Sequence, residues 1–410
     1  MPLTLWYVSK YVTPPSHGSA GARGYLLMKA LAQLGHQAVI ITSDSNQLGT
    51  PPQLDAAYLR QEMDGLELWW VRTMKYSVAK SLRRILSWLD FEWRLFRLPK
   101  HQMPRPDVVV VSSLSLLTIV QGLFWRRRYK CRLVFEIRDI WPLTITEEGG
   151  FSPRNPLVLG LAAMEWLGYK YADAIVGTMP NLGEHVRQVL GHDRPTHCIP
   201  MGIDEAAYTA AQALPAEYVA NHLPHNPFVV AHVGSIGITN ALDTFLQCAE
   251  RMAAEPHIHF LVVGDGDLRE TYRARYGHLP NLTFAPKVPK AMVPSVLSRC
   301  DLLYFAVHPS QVWRYGQSLN KLIDYMMAGK PVLASYTGYP SMVNEANCGS
   351  FVPANDRDAL EAEIRRYASM PASEREAMGT RGRDWLLQHR RYPKLAQDYL
   401  TIIQATPAPI

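Results

Sequence analysis

The chain reads as an α/β protein of two doubly wound halves, and three observations predict it. Short apolar runs without polar alternation recur along the whole length, as strands buried on both faces of a parallel sheet do. Amphipathic helical stretches separate those runs, which is the rhythm of successive βαβ units. The rhythm halts once, near residue 200, and then restarts. A chain of 410 residues also exceeds what one hydrophobic core usually holds, roughly 250–300 residues.

In the first half, "LTLWYV", "QAVIIT", "DVVVV", "RLVFEI" and "DAIVGT" read as strands, with helices such as "GARGYLLMKALAQLGH" and "RNPLVLGLAAMEWLGYKYA" between them. Residues 201–227 follow a domain spanning 1–200. They are rich in Pro, Ala and polar residues, hold no apolar run, and read as a linker. "FVVAHV", "HIHFLVV", "LLYFAV", "KPVLAS" and "GSFVP" are the strands of a second domain, 228–390. The last stretch, 391–410, is too amphipathic for a tail and is expected to pack back on the N-terminal half. Open sheets of this kind bind ligands at the carboxyl ends of their strands, so two such halves are expected to face each other across a cleft.

Lys and Arg outnumber Asp and Glu by 42 to 36, and the sequence pI is about 9.0, which favours anionic partners: nucleotides, acidic lipid surfaces or nucleic acid. The five cysteines are scattered and form no C-x-x-C, so neither a zinc site nor a disulfide framework is expected. "MPLTLWYVSKYV" lacks the basic start and long apolar run of a signal peptide, and no window approaches the ~20 apolar residues of a membrane span.

The stretch "GQSLNKLIDYMMAGKPVLAS", 316–335, carries the most chemistry. A helix start presents unpaired N–H groups and partial positive charge, so with Asn320 and Lys321 beside it an anion such as phosphate has a seat there. Asp324, one turn in, suits sugar hydroxyls rather than phosphate. A phosphate beside a ribose is a nucleotide. "VVGDG" places Gly264 and Gly266 directly after an apolar strand, and "HVGSIG" repeats the arrangement at Gly234. Such glycines allow close approach to a nucleotide, and equally they allow a tight turn. In the first half, Gly18 and Gly21 open the first helix after "PPSH", with His17 before them and Arg23 on the helix face. Glu136, Arg138 and Asp139 crowd the end of a strand in "EIRDIWP", either as substrate ligands or as an internal pair that props the loop.

Nine motifs taken in order, among them "EIRDIWP", "IPMGID", "HVGSIGITNALDTF", "LVVGDGDLRE", "APKVPKAMVP" and "NKLIDYMMAGKPVLAS", resemble the GT-B glycosyltransferases of family 4 across nearly the whole chain. Within that family, "EIRDIWP" and "NKLIDYM" are most similar to bacterial polysaccharide transferases of the N-acetyl-L-fucosamine transferase type. The resemblance implies two Rossmann-like domains and a retaining, metal-independent transfer with no cofactor. It implies a UDP-sugar donor in the C-terminal half and an acceptor in the N-terminal half. The donor set it carries over is Gly234, Ser235, Gly264, Gly266, Arg269, Lys287, Val288, Gly316, Gln317, Ser318, Leu319, Asn320, Lys321 and Asp324. The loop 285–289 then reads the base, and Asp324 holds the ribose. His17, Gly18, Glu136, Arg138 and Asp139 bind the acceptor, with Lys321, Arg138 and Asp139 as the catalytic residues.

The chain departs from the family at three positions. The loop Arg and Lys that face the donor pyrophosphate fall on Ser235 and Asn240, which leaves the charge to Lys321, Arg269 and the helix start. The first of the family's paired acids falls on Gly316, which can offer only backbone and space. The resemblance is to metal-independent transferases, so transfer is expected to survive EDTA.

In "VAKSLRRILSWLDFEWRLFRLPK", Leu82, Ile85, Leu86, Leu89, Trp93 and Phe96 recur at helical spacing, flanked by Lys80, Arg83, Arg84, Arg94, Arg97 and Lys100. Residues 79–100 are therefore expected on an anionic membrane surface, with a core-facing helix as the plainer reading. The partners implied are a UDP-sugar, a polyprenyl-diphosphate-linked saccharide and the inner face of a bacterial cytoplasmic membrane, with no nucleic acid. Two other classes stay open: a nucleotide-sugar 2-epimerase of the same fold, and an inactive saccharide-binding protein.

Overall fold

The computed structural model describes residues 1–18, 22–46, 49–76, 81–113, 115–224 and 227–407; Gly21, Ala79 and Lys80 lie outside them. The chain divides into two units, Met1–Gly202 with Tyr392–Ile410, and Ile203–Arg391.

The first unit is built on eight strands: β1 (Thr4–Val8), β2 (Gln37–Ser43), β3 (Tyr58–Met63), β4 (Leu66–Val71), β5 (Val108–Ser112), β6 (Arg132–Ile137), β7 (Ala174–Gly177) and β8 (His197–Cys198). Their spatial order is β3-β4-β2-β1-β5-β6-β7-β8. The chain leaves β1 toward β2 and later returns to β5 on its other side, so the switch point lies between β1 and β5. β5 is Val-Val-Val-Val-Ser and wholly buried, because helices cover both sheet faces, and its one polar side chain, Ser112, is hydrogen-bonded to Glu136. Those helices are α1 (Ala22–Gln33), α2 (Leu82–Arg97), α3 (Thr118–Tyr129), α4 (Leu143–Glu147), α5 (Pro156–Tyr171) and α6 (Leu182–Leu190).

The sequence reading assigns no strand to residues 58–71. The structure folds them into a hairpin, β3 antiparallel to β4, whose two-residue turn is Asp64-Gly65 with φ of 54° and 76°. A two-residue Asp-Gly loop with positive φ at both positions is the turn that matches strand twist. Each partner of that signal stood in "EMDGLEL".

The second unit holds β9 (Phe228–Val233), β10 (Ile258–Val263), β11 (Leu282–Ala285), β12 (Leu302–Ala306), β13 (Val332–Ser335) and β14 (Gly349–Val352), all pairs parallel, in the order β11-β10-β9-β12-β13-β14. Its switch point lies between β9 and β12. Residues 201–227 carry two short helices, α7 (Glu205–Thr209) and α8 (Ala216–His222). Further helices are α9 (Asp243–Arg251), α10 (Arg269–Tyr276), α11 (Val293–Leu297), α12 (Asn320–Met327), α13 (Met342–Glu345), α14 (Arg357–Ser369) and α15 (Ala372–His389).

The final helix, α16 (Tyr392–Ala405), belongs to the first unit, where Leu395, Tyr399, Ile402 and Ile403 join the core with Tyr25, Met28 and Leu31 of α1. Burying one Leu or Ile side chain contributes about 1.5–3 kcal/mol, so this face is enough to fasten the helix.

Candidate active site

In the second unit, four segments meet at the carboxyl end of β9. Gly264 and Gly266 follow β10 with φ of 154° and 155°, and a β-carbon on either would meet the neighbouring loop: Gly234 O at 1.8 Å and Ile236 O at 2.4 Å. Backbone bonds lock the two loops together, Gly234 N–H to Val263 O at 2.9 Å and Ile236 N–H to Asp265 O at 2.9 Å. A side chain at Gly264 or Gly266 would run into that backbone, so these glycines are what lets the two loops pack so closely. Gly316 has φ of 115°, which an L side chain rarely adopts, so an acid placed on this backbone would be strained.

α12 begins at the same rim. Its N-cap residue, Leu319, has no side-chain acceptor, which leaves the Asn320 and Lys321 amides uncapped by it. Gln317 and Ser318 form the half-buried lead-in. The helix is tied to β9 by Tyr325, whose hydroxyl accepts the Val233 N–H at 2.9 Å and stands 3.2 Å from the Tyr304 carbonyl. Lys321 is thereby aimed at the β9 loop, where its ammonium donates to the side-chain oxygen of Asn240. Burial lowers the Lys321 pKa to about 8. Beneath it His232 is held neutral: burial first, and then the Lys321 charge, push it down to about 3. Its Nε2–H can only donate to the Ser235 carbonyl, 3.2 Å away.

The other expected donor residues are paired within the protein. Asp324 accepts from Tyr208 of α7 at 2.5 Å on one oxygen and from Lys290 on the other. Arg269, at the start of α10, lies 2.6 Å from Glu270, which offsets the charge expected of it. Lys287 reaches Asp265 at 3.0 Å across two exposed side chains. Val288 lies in the loop after β11, where α8 is pinned by the Tyr218 hydroxyl donating to Pro286 O at 2.7 Å. Tyr208 and Lys290 had no signal in the sequence that would single them out, because each meets Asp324 only through the fold.

In the first unit, Glu136 near the end of β6 is fully enclosed. Tyr7 and Ser112 donate to one of its oxygens at 2.5 and 2.9 Å, and Arg23 to the other at 2.8 Å. Burial opposes its charge, but Arg23 and the Tyr7 bond outweigh that and hold the carboxyl below its usual value. Glu136 therefore has no open face for an acceptor, and this corrects its assignment. Arg23, placed by the sequence only on the face of the first helix, is its buried counter-ion and also donates to Ile199 O at 2.7 Å.

Arg138 and Asp139 stand at the strand end itself, their amides donating to Ser113 Oγ at 2.8 and 3.3 Å. The Nε and Nη1 of Arg138 are buried and find no acceptor among the described residues. Burial raises the Asp139 pKa against the opposing charge of Arg138. His17 packs toward Trp70 with ring centres 5.7 Å apart, and Gly18 closes the short helix with φ of 124°. Lys10, at the end of β1, is a further cation the sequence reading passed over. It bonds Ser43 Oγ and Ser45 O at 3.1 and 3.0 Å, and burial brings its pKa to about 7. A lysine two residues after an apolar strand was the available signal.

No three His, Cys, Asp or Glu side chains converge as a metal-ligand group among the described residues, and no described helix is long and apolar enough to cross a membrane.

Residues 18–202 match the glycosyl transferase 4-like domain, and residues 227–369 match the glycosyl transferases group 1 family. No curated protein matches the chain by sequence. Among solved structures, sucrose-phosphate synthase from Thermosynechococcus elongatus is similar with a TM-score of 0.73 at 18% identity, over 98% of each chain. An α,α-trehalose-phosphate synthase (UDP-forming) from Burkholderia vietnamiensis gives 0.73 at 15%, over 99% of this chain and 98% of that one. HepE of Anabaena, solved with UDP and glucose, gives 0.65 at 14%, over 98% and 100%. At these identities the likeness establishes the fold.

Proposed function

The chain is a glycosyltransferase of GT-B fold, and we propose that it moves a sugar with retention from a UDP-sugar to a lipid-carrier-linked saccharide in bacterial surface polysaccharide assembly, as in O-antigen or capsule. The sugar is an N-acetylated 6-deoxy amino sugar of the N-acetyl-L-fucosamine kind. The observation that carries the reading is Lys321: a cation at an uncapped helix start, aimed at the β9 loop by Asn240 and set one turn before Asp324. That is a seat for a diphosphate beside a ribose. The UDP in the HepE structure and the UDP-forming relative support uracil as the base.

As the bond from the sugar carbon to the β-phosphate oxygen breaks, charge grows on that phosphate. Lys321 and the α12 amides stabilise it more than they stabilise the bound donor, which lowers the barrier. No protein nucleophile is assigned. The acceptor hydroxyl bonds to the same face of the sugar and gives its proton to the departing phosphate oxygen, with Arg138 and Asp139 positioning the acceptor. The N-terminal unit works at an anionic membrane surface through residues 79–100.

UDP release with and without a lipid-linked saccharide tests this. Transfer requires the acceptor and yields UDP; an epimerase would yield an isomer without UDP, and a binding protein neither. A thermal-shift screen of UDP-sugars identifies the donor, since a ligand bound only by the folded chain raises its stability.

A further inference from the structure

At the carboxyl ends of β5, β6 and β7 the protein holds a guanidinium for which it supplies no acceptor. Arg138 follows β6, and its main chain is clamped from both neighbouring strands: the N–H donates to Ser113 Oγ at 2.8 Å, and the carbonyl accepts from Thr178 Oγ1 at 3.2 Å. These bonds fix the point from which the side chain starts. Its Nε and Nη1 are buried and meet no acceptor among the described residues. A buried cation so placed is costly, and native structures seldom keep one without a use. Arg23, beneath the same sheet end, shows the ordinary arrangement, with Glu136 at 2.8 Å and Ile199 O at 2.7 Å.

The neighbouring carboxyls do not fill the gap. Glu136 is taken up by Tyr7, Ser112 and Arg23. Asp139 feels Arg138 through charge alone, and burial outweighs that attraction and raises its carboxyl. Glu148, just past α4, is raised as well, first by burial and then by the Asp139 charge. With Arg23 and Glu136 paired off, Arg138 stands beside two acids and touches neither. A phosphate dianion entering here would face both acids. A neutral hydroxyl would leave the cation uncompensated. A carboxylate brings the single charge that one guanidinium matches. Asp139, the next residue in the chain, suits hydroxyls on the same ring. We propose that the acceptor sugar is a uronic acid, whose carboxylate binds Arg138 and whose hydroxyls bind Asp139. The carboxylate anchors the ring and takes no part in the new bond, which an acceptor hydroxyl forms as in the proposed function. The inference rests on the acceptor role given there to Arg138 and Asp139, and it adds the chemical class of the sugar.

The test uses the full chain as wild type, Arg138→Gln and Arg138→Lys, each first checked for native circular dichroism and unchanged UDP affinity. Acceptor saccharides ending in glucuronic or galacturonic acid are compared with the same saccharides whose carboxyl has been reduced to the alcohol. Wild type should favour the acidic acceptor in kcat/KM by roughly ten- to a hundredfold, the range for hydrogen bonds to a charged group. Arg138→Gln should erase that preference, mainly through KM, and Arg138→Lys should keep part of it, because an ammonium supplies charge without the planar fork. A wild type indifferent to the carboxyl, or a Gln variant that slows both acceptors equally, would overturn the proposal. Thermal shift with free glucuronate, glucose and glucose 6-phosphate reads the site without transfer. Glucuronate should stabilise wild type and not Arg138→Gln, and glucose neither; stabilisation by the sugar phosphate alone would overturn the choice of carboxylate. Transfer to neutral acceptors without any effect of glucuronate would overturn the site and leave the proposed function standing. Absence of transfer to every saccharide, with glucuronate still bound through Arg138, would overturn that function and leave the carboxylate site.

Discussion

The Lys321 ammonium donates to the side-chain oxygen of Asn240, at the position where the resemblance leads one to expect a second cation. One charge and its positioning amide thus stand where two charges would. In the proposed function Lys321 faces the leaving phosphate, so Lys321→Ala should lower kcat by roughly 10² or more. Lys321→Gln should not restore it, because an amide supplies a hydrogen bond without the charge. A normal kcat with only a raised donor KM would mean that Lys321 binds ground state and transition state alike. Asn240→Ala should cost less, on the order of tenfold, since it loosens the cation without removing it.

The depressed Lys321 pKa gives a pH signature. Its charged form is the useful one, and burial brings the group to about 8, so kcat/KM for the donor should fall as pH rises through that value. Neighbouring His232, pushed down to about 3, stays neutral throughout and adds no limb there. A bound diphosphate favours the ammonium, so the limb in kcat should lie at higher pH than the limb in kcat/KM. Lys321→Arg should abolish the limb; a profile that still bends near pH 8 in that variant would assign it elsewhere.

Asp324 meets its expected role with both oxygens already engaged by Tyr208 and Lys290. A ribose that binds there must replace at least one of them. Asp324→Ala should weaken UDP binding by roughly 1.5–3 kcal/mol, the range for hydrogen bonds to a charged group. Tyr208→Phe should instead tighten UDP modestly, by a few-fold, because one oxygen is then free beforehand. Isothermal titration of the two single variants and the double variant reads the coupling directly. Additive effects would show that Tyr208 and the ribose do not compete.

What could be read in the sequence, and what could not, follows from how far apart the interacting residues are. Buried parallel strands announce themselves locally, so "DVVVV" and "FVVAHV" were found as strands, and the restart after residue 200 marked a second sheet. The hairpin over 58–71 was also local, in its Asp-Gly turn, but β3 is a mostly exposed edge strand and lacks the apolar run that the other strands share. The site divides the same way. Lys321 and Asp324 are neighbours on one helix and could be paired by spacing. Glu136 and Arg23 are 113 residues apart, and Asp324 and Tyr208 are 116, so no periodicity links them. Gly264 and Gly266 were recognisable as residues that make room, yet only the fold shows that the room is for the Gly234–Ile236 backbone.

The correction at Glu136 separates scaffold from site. Its two oxygens take Tyr7, Ser112 and Arg23, joining β1, β5, β6 and α1, and Arg23 passes the tie on to Ile199 beyond β8. Glu136→Gln keeps the shape but leaves the buried Arg23 guanidinium without its counter-charge, and breaking such a pair costs about 3–5 kcal/mol. The variant should therefore unfold at a markedly lower temperature while the folded fraction keeps its acceptor KM. The pH dependence has a definite sign. Because the folded carboxyl lies below its unfolded value, its contribution is present above the unfolded pKa and is lost as pH falls through the folded one. Wild type and Glu136→Gln should thus differ most in stability near neutral pH and converge in acid. A variant as stable as wild type at neutral pH, with acceptor KM raised tenfold, would return Glu136 to the acceptor site and make Arg23 the residue that substrate displaces.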